Sequence, residues 1–194
     1  MDNPYIGNAG TFLVETLIGI YIMAVMLRFI FQVVGADFYN PVSQFLVRVT
    51  DPPLQRLRRF IPGLWGLDLA SVILLLILQS VEVWIVFAIL GKGANPFGIL
   101  IVSVARLLGL AIHIFMFSTI AHVIMSWLNP HVYNPMIGLL YSLTEPLLGP
   151  VRRVIAPIGG LDVSPIVVIV GLQLLLMVFI APIADLGRGI LMTG

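Results

Sequence analysis

The sequence predicts an all-α membrane protein of four transmembrane helices, arranged as two parallel tandem hairpin repeats with amphipathic interfacial helices in the two long loops. Three observations predict it. Of the 194 residues 60% are apolar and only 10% charged, against about 25% charged in ordinary soluble domains, and the mean hydropathy is +1.10. Four apolar stretches are each long enough to cross a hydrocarbon core about 30 Å thick, which takes roughly 20 helical residues. The loops between them repeat one another.

The stretches run approximately from Gly10 to Val34, Gly66 to Leu90, Phe97 to Trp127 and Val163 to Ala184. Only helices or closed barrels satisfy the backbone in lipid. Runs such as Val72 to Leu78 are continuously apolar and do not alternate as barrel strands do. The first stretch is too long for a signal-peptide core and lacks a basic segment before it, so a retained span is expected.

Laid over each other with an offset of 94 and no gap, residues 39–68 and 133–162 share thirteen of thirty positions. Tyr39-Asn40-Pro41 falls on Tyr133-Asn134-Pro135, Thr50-Asp51-Pro52 on Thr144-Glu145-Pro146, and Arg58-Arg59 on Arg152-Arg153. Gly66-Leu67-Asp68 falls on Gly160-Leu161-Asp162, and Gln79 on Gln173. This is an internal duplication, with repeats over 1–96 and 97–194. Each unit crosses twice, so both copies face the same way.

The two long loops hold Arg48, Arg56, Arg58, Arg59, Arg152 and Arg153, against Lys92 and Arg188 on the other side. The excess of arginine places the loops in the cytoplasm and both termini outside. Asn40-Pro41 reads as a helix cap followed by a first-turn proline, with Val42, Phe45, Leu46 and Val49 on one face. Thr50-Asp51-Pro52 and its copy read as a restart of the chain into a second helix. Arg58, Arg59, Arg152 and Arg153 then sit where anionic headgroups of the cytoplasmic leaflet, or a membrane-protein partner, would meet them.

Charged groups inside spans cost about 2.5 to 3.5 kcal/mol each on insertion scales. The candidates are Glu15, Arg28, Gln79, Glu82, Arg106, His113, His122, Gln173 and Asp185. Arg28 and Asp68 fall at similar depth and are expected to pair and close the first hairpin; His122 and Asp162 occupy the same positions in the second. Gln79 and Gln173 are expected to hydrogen-bond between helices. Convergence of Gln79, Glu82, Arg106 and Gln173 on a common wet cavity indicates transport, whereas pairing among them indicates a packing role.

With no cysteine, thiolate catalysis, disulfides and cysteine-held metal sites are excluded. Net charge of +1 gives no nucleic-acid footprint. No nucleophile–base pattern or phosphate-cradling glycine loop is present. His113 and His122 lie nine residues apart and point to opposite faces of one helix, so one chain cannot clamp haem between them. No cofactor and no enzyme activity are expected.

The pattern Trp127, Asn129-Pro130, Leu143-Thr144-Glu145-Pro146-Leu147-Leu148, Pro150, Arg152-Arg153, Ile155, Pro157, Gly160-Leu161-Asp162, Ser164-Pro165 resembles the YggT family, also called YlmG. The first copy departs from it, with Val33 for the tryptophan and Ala70-Ser71 for the Ser-Pro pair. The resemblance covers the whole chain and implies two such units in tandem. It further implies a link to osmotic or ion stress, to cell division, or to assembly of a membrane complex, with relatives in plastids. Two functions are therefore expected as alternatives: a structural or assembly factor, or a small oligomeric channel or transporter for an ion or osmolyte.

Overall fold

The computed structural model describes residues 4–63, 66–128, 135–155 and 162–193. Among these residues seven helices follow in order: α1 Pro4–Val33, α2 Pro41–Arg58, α3 Leu69–Ile89, α4 Pro96–Leu128, α5 Pro135–Val154, α6 Ser164–Leu175 and α7 Ala181–Leu191. A π turn, Leu176–Ile180, joins α6 to α7. Among the described residues four helices are long and apolar enough to cross a membrane: α1, α3, α4 and the composite of α6 and α7.

The fourth span runs to Leu191, beyond the Ala184 expected. Asp185 and Arg188 lower the local hydropathy, but they pair with each other at 3.0 Å and do not end the helix. Pro182 has no N–H to donate to the preceding turn, and the π turn lies immediately before it.

The two loop helices depart from expectation in one respect and agree in another. Asn40 caps α2, its side chain accepting from the Val42 N–H at 2.9 Å, with Pro41 in the first turn. However, the helix does not restart at Thr50. It runs on through Pro52 and Pro53, and α5 likewise runs through Pro146 and Pro150. The Thr50 hydroxyl donates to the Leu46 carbonyl at 2.6 Å and so bonds back into its own helix.

The face of α2 that packs inward is also not the one its apolar residues suggest. Ser43, Leu46, Thr50 and Leu54 are buried, while Phe45 and Val49 are exposed. In a lipid environment apolar side chains gain nothing from facing the protein, and hydrogen-bonding groups are the ones that must turn inward.

The repeat is visible element by element, α1 corresponding to α4, α2 to α5, and α3 to α6 with α7. Both loop helices lie at the same end of the bundle, where the Asn40 side chain donates to the Pro135 carbonyl at 2.7 Å. At the opposite end, the Asn95 N–H donates to the Leu191 carbonyl at 3.3 Å. The core lies among α1, α3 and α4, around Ile22, Val25, Ile30, Leu74, Leu107 and Ile114, and is sealed at the loop end by Leu46 of α2 and Leu139 of α5. The fourth span stands at the edge, packed chiefly on α4. A Cβ at Gly98 of α4 would collide with the backbone of Leu191, and one at Gly187 would come 2.9 Å from Ile101 and Val102. Close approach of the two helices therefore depends on both glycines.

Asn129-Pro130, Tyr133-Asn134, Pro157 and Gly160-Leu161 of the sequence pattern lie outside the described residues.

Candidate functional site

Each repeat carries a polar relay at its loop end. In the first, Arg28 of α1 donates to the Thr50 hydroxyl at 2.8 Å and to the Val47 carbonyl at 3.3 Å. Its other amino group meets Asp51 at 2.6 Å. Arg58 then links Asp51, at 4.0 Å, to Asp68, at 2.5 Å, and the Ser71 hydroxyl donates to Asp68 at 2.6 Å. The expected pair of Arg28 with Asp68 is thus replaced by a four-member chain through α2, which ties α1, α2 and α3 together. Arg28, Thr50, Asp68 and Ser71 are all buried, so the charges are compensated in a region of low dielectric.

The titrating groups outside the spans reflect this. Burial would raise the Asp68 carboxyl, but hydrogen bonds from Arg58 and Ser71 and the Arg58 charge outweigh it and hold the group below its ordinary range. Asp51 is likewise lowered, the Arg28 and Gln55 hydrogen bonds overcoming its desolvation. The hydrogen bond to Asp68 raises Arg58.

The second relay uses the same positions with other side chains. His122 of α4 meets the Thr144 hydroxyl at 2.8 Å. Thr144 donates its one proton to the Leu140 carbonyl at 2.8 Å, so the hydroxyl accepts and His122 Nδ1 carries the hydrogen, an assignment made from the network. Arg152 bridges Glu145 at 2.9 Å and Asp162 at 2.8 Å. Asp162 accepts from the Ser164 hydroxyl at 2.5 Å and from its N–H at 2.9 Å. These bonds outweigh desolvation and lower the Asp162 carboxyl. Arginine at 28 and histidine at 122 share one task, donation to a threonine whose own proton is already used.

A separate ionic cluster lies within the spans. Glu82 of α3 accepts from Arg106 of α4 at 3.0 Å and from Gln79 at 3.1 Å. Arg106 also reaches Glu15 of α1 at 3.8 Å. Beside it, Ser80 donates to Ser103 at 3.2 Å, and Ser103 to the Ile99 carbonyl at 2.7 Å. The bonds from Arg106 to Glu82 and from Ser80 to Ser103 cross from α3 to α4, which is to say from one repeat to the other, whereas Gln79 bonds within α3 and not between helices as expected. The duplication does not copy them, since Leu176 stands at the position of Glu82 and Phe12 at that of Arg106. Gln173 lies half-buried on α6, away from the cluster that its copy Gln79 joins.

Among the loop arginines, Arg58 and Arg152 are held in the relays, while Arg59 and Arg153 are exposed. The sequence reading missed Thr50 and Asp51, and with them Thr144 and Glu145, as relay members. The signal was present in the repeated Thr-Asp/Glu-Pro motif, which also fits a helix cap. His113 is exposed on α4, its Nδ1 2.6 Å from the Gly109 carbonyl. No cluster of three or more metal-ligating side chains occurs among the described residues.

The profile of the CCB3/YggT family matches the chain twice, over residues 7–89 and 101–183. The two matches are displaced by 94 residues at both ends, the offset at which the loops repeat. Uncharacterized protein PA0392 of Pseudomonas aeruginosa is 42% identical over 181 residues, 92% of each chain. A Vibrio alginolyticus protein named for the proC 3′ region is 37% identical over 86% of this chain and 90% of its own. The YggT protein of Escherichia coli K12 is 35% identical over 88% of both. No solved structure matches the chain. With its relays, spans and loop helices each present twice at that one offset, the chain belongs to the CCB3/YggT family as a tandem of two family units.

Proposed function

We propose that the protein is a structural or accessory factor of the bacterial inner membrane, one that stabilises or helps assemble a larger membrane complex and performs no enzymatic reaction. The observation that carries this reading is the bond from Arg106 of α4 to Glu82 of α3, a carboxylate that also accepts from Gln79 of its own helix. Polar groups that fasten helices together serve a rigid body. A permeation path needs them unpaired and wet. The fourth span adds to the reading, since only 6% of its apolar window is buried within the chain, against 39% in α4. It offers a long lateral face to a membrane-protein partner. The arginine excess of the long loops orients them to the cytoplasm, where exposed Arg59 and Arg153 meet anionic headgroups. Osmotic stress, cell division and membrane-complex biogenesis are the settings in which such a factor would act. Affinity purification from native membranes, followed by partner identification, tests the reading: a stoichiometric membrane-protein partner is expected, and its absence from every mild-detergent preparation would reject it.

A second reading, a small oligomeric channel or transporter, draws on Glu15 and Arg106, whose side chains are 47% and 42% exposed within the spans. In an oligomer they could line a shared path. Ion or osmolyte flux in protein-loaded liposomes, abolished by Arg106→Gln, would favour this reading over the first.

A further inference from the structure

A cavity of about 960 Å³ opens at the loop end of the first repeat, between the end of α1, helix α2 and the chain leading into α3. Its polar lining is Arg28, Arg48, Arg58, Gln32, Gln44 and Asp68. Two of the three guanidiniums are matched by carboxylates, Arg28 by Asp51 and Arg58 by Asp68. Arg48 is exposed on α2 and pairs with no group among the described residues. The cavity therefore has one cation in excess beside two guanidiniums fixed in place before any ligand arrives, with Gln32 and Gln44 each donating one amide N–H to a backbone carbonyl, of Gly66 and Tyr39, and keeping a second N–H.

The second repeat provides an internal control. At the same offset, Arg48 becomes Ser142, Gln44 becomes Gly138, Gln32 becomes Ser126 and Arg28 becomes His122. Even so, the hairpin there closes through Thr144, Arg152 and Asp162. Closure of a repeat thus does not require Arg48, Gln32 or Gln44. A cavity of the second repeat, about 580 Å³ between α4 and α6, is lined among the described residues mainly by apolar side chains such as Ile120, Ile124 and Ile166, with one arginine. The surplus cationic and amide groups belong to the first repeat alone.

We propose that this cavity binds a phosphate-bearing group, with Arg48 supplying the unpaired charge and the relay holding Arg58 beside it. A guanidinium matches phosphate oxygens in a planar, two-bond geometry. The cavity lies at the end of the spans, at headgroup level in a bilayer, and is also open to the aqueous side. A phospholipid headgroup and a soluble organic phosphate therefore share the required chemistry. The inference stands apart from the scaffold reading, because it concerns one chain and needs no protein partner.

The test uses the full-length protein in a neutral detergent. Native mass spectrometry measures binding of phosphatidylglycerol and phosphatidylcholine to the unaltered protein and to Arg48→Gln and Ser142→Ala, with and without glycerol 1-phosphate as competitor. Because Arg48 has no partner among the described residues, Arg48→Gln should melt as the unaltered protein does, which separates lost binding from lost folding. Phosphatidylglycerol should be preferred, its affinity should fall about tenfold in Arg48→Gln, and Ser142→Ala should change nothing. Displacement by glycerol 1-phosphate would assign the site to a soluble phosphate, and resistance to it would assign the site to lipid. Full phosphatidylglycerol affinity in Arg48→Gln, or the same loss of it in Ser142→Ala, would overturn the proposal.

Discussion

The two repeats place the same threonine and the same arginine–aspartate pair at the same points, yet the first holds its hairpin with buried charge and the second does not. Asp68 is 7% exposed and its counterpart Asp162 is 39% exposed. Arg28 joins the ionic chain through Asp51, whereas His122 stops at Thr144. What is common to both copies, the threonine that bonds back to its own helix and accepts from the neighbouring span, is the part the fold requires. What differs follows from position. In the first hairpin α3 packs on α1, α2 and α4, whereas the last span of the second packs on α4 and α5 and stands at the edge.

The largest expected effect separates the copies at this point. Arg28→Ala removes the buried guanidinium's bonds to Thr50, Val47 and Asp51 and leaves Asp51 with Gln55 and the more distant Arg58, so it should cost about 2 to 3 kcal/mol. His122→Ala leaves only the Thr144 hydroxyl short of a donor and should cost about 1 kcal/mol. Unfolding in mixed micelles with increasing denaturing detergent measures both, and equal losses would break the comparison.

Next comes pH. Asp51, Asp68 and Asp162 are all held below their ordinary range. A carboxyl lowered by folding contributes stability that is complete above its unfolded value, about 3.9, and is lost as pH falls through the folded value. The melting-temperature advantage of the unaltered protein over each Asp→Asn variant should therefore be level from pH 8 to 5 and shrink only below about pH 4. The advantage over Asp68→Asn should shrink more than that over Asp162→Asn, the former being the more buried group. A decline already complete at pH 5 would contradict the assignment.

The shared element should respond alike. Thr50→Val and Thr144→Val each remove one buried acceptor, and each should cost about 1 to 2 kcal/mol, with the two values within about 0.5 kcal/mol of each other. The smallest effects belong to the exposed arginines: Arg59→Gln and Arg153→Gln should alter stability by less than about 0.5 kcal/mol, while Arg152→Gln should cost more than Arg153→Gln by the same assay.

The fold was largely legible in the sequence, because lipid demands long apolar helices and a gapless duplication fixes how two of them pair. The loops were legible only in outline. Val42, Phe45, Leu46 and Val49 make a sound amphipathic face in water. Beside a membrane, however, apolarity stops marking the inside, and Ser43 and Thr50 turn inward while Phe45 and Val49 do not. Thr50-Asp51-Pro52 has the residues of a cap, and a proline after them favours a break. Only the packing of Arg28 against Thr50 and Asp51 shows why the helix continues. Gln79 and Gln173 coincide in sequence, but one meets Glu82 and the other has Leu176 at that position. Repetition of a residue does not carry its partner along.

The central claim is that an ionic relay closes the first hairpin and is interrupted at the same point in the second. A pair of double-mutant cycles tests it most directly, one on Arg28 and Asp51 and one on His122 and Glu145, read as unfolding free energies in the same micelles. The account predicts a coupling of about 2 kcal/mol or more for Arg28 with Asp51 and less than about 0.5 kcal/mol for His122 with Glu145. Additive behaviour of Arg28 and Asp51, or equal coupling in the two cycles, would contradict it.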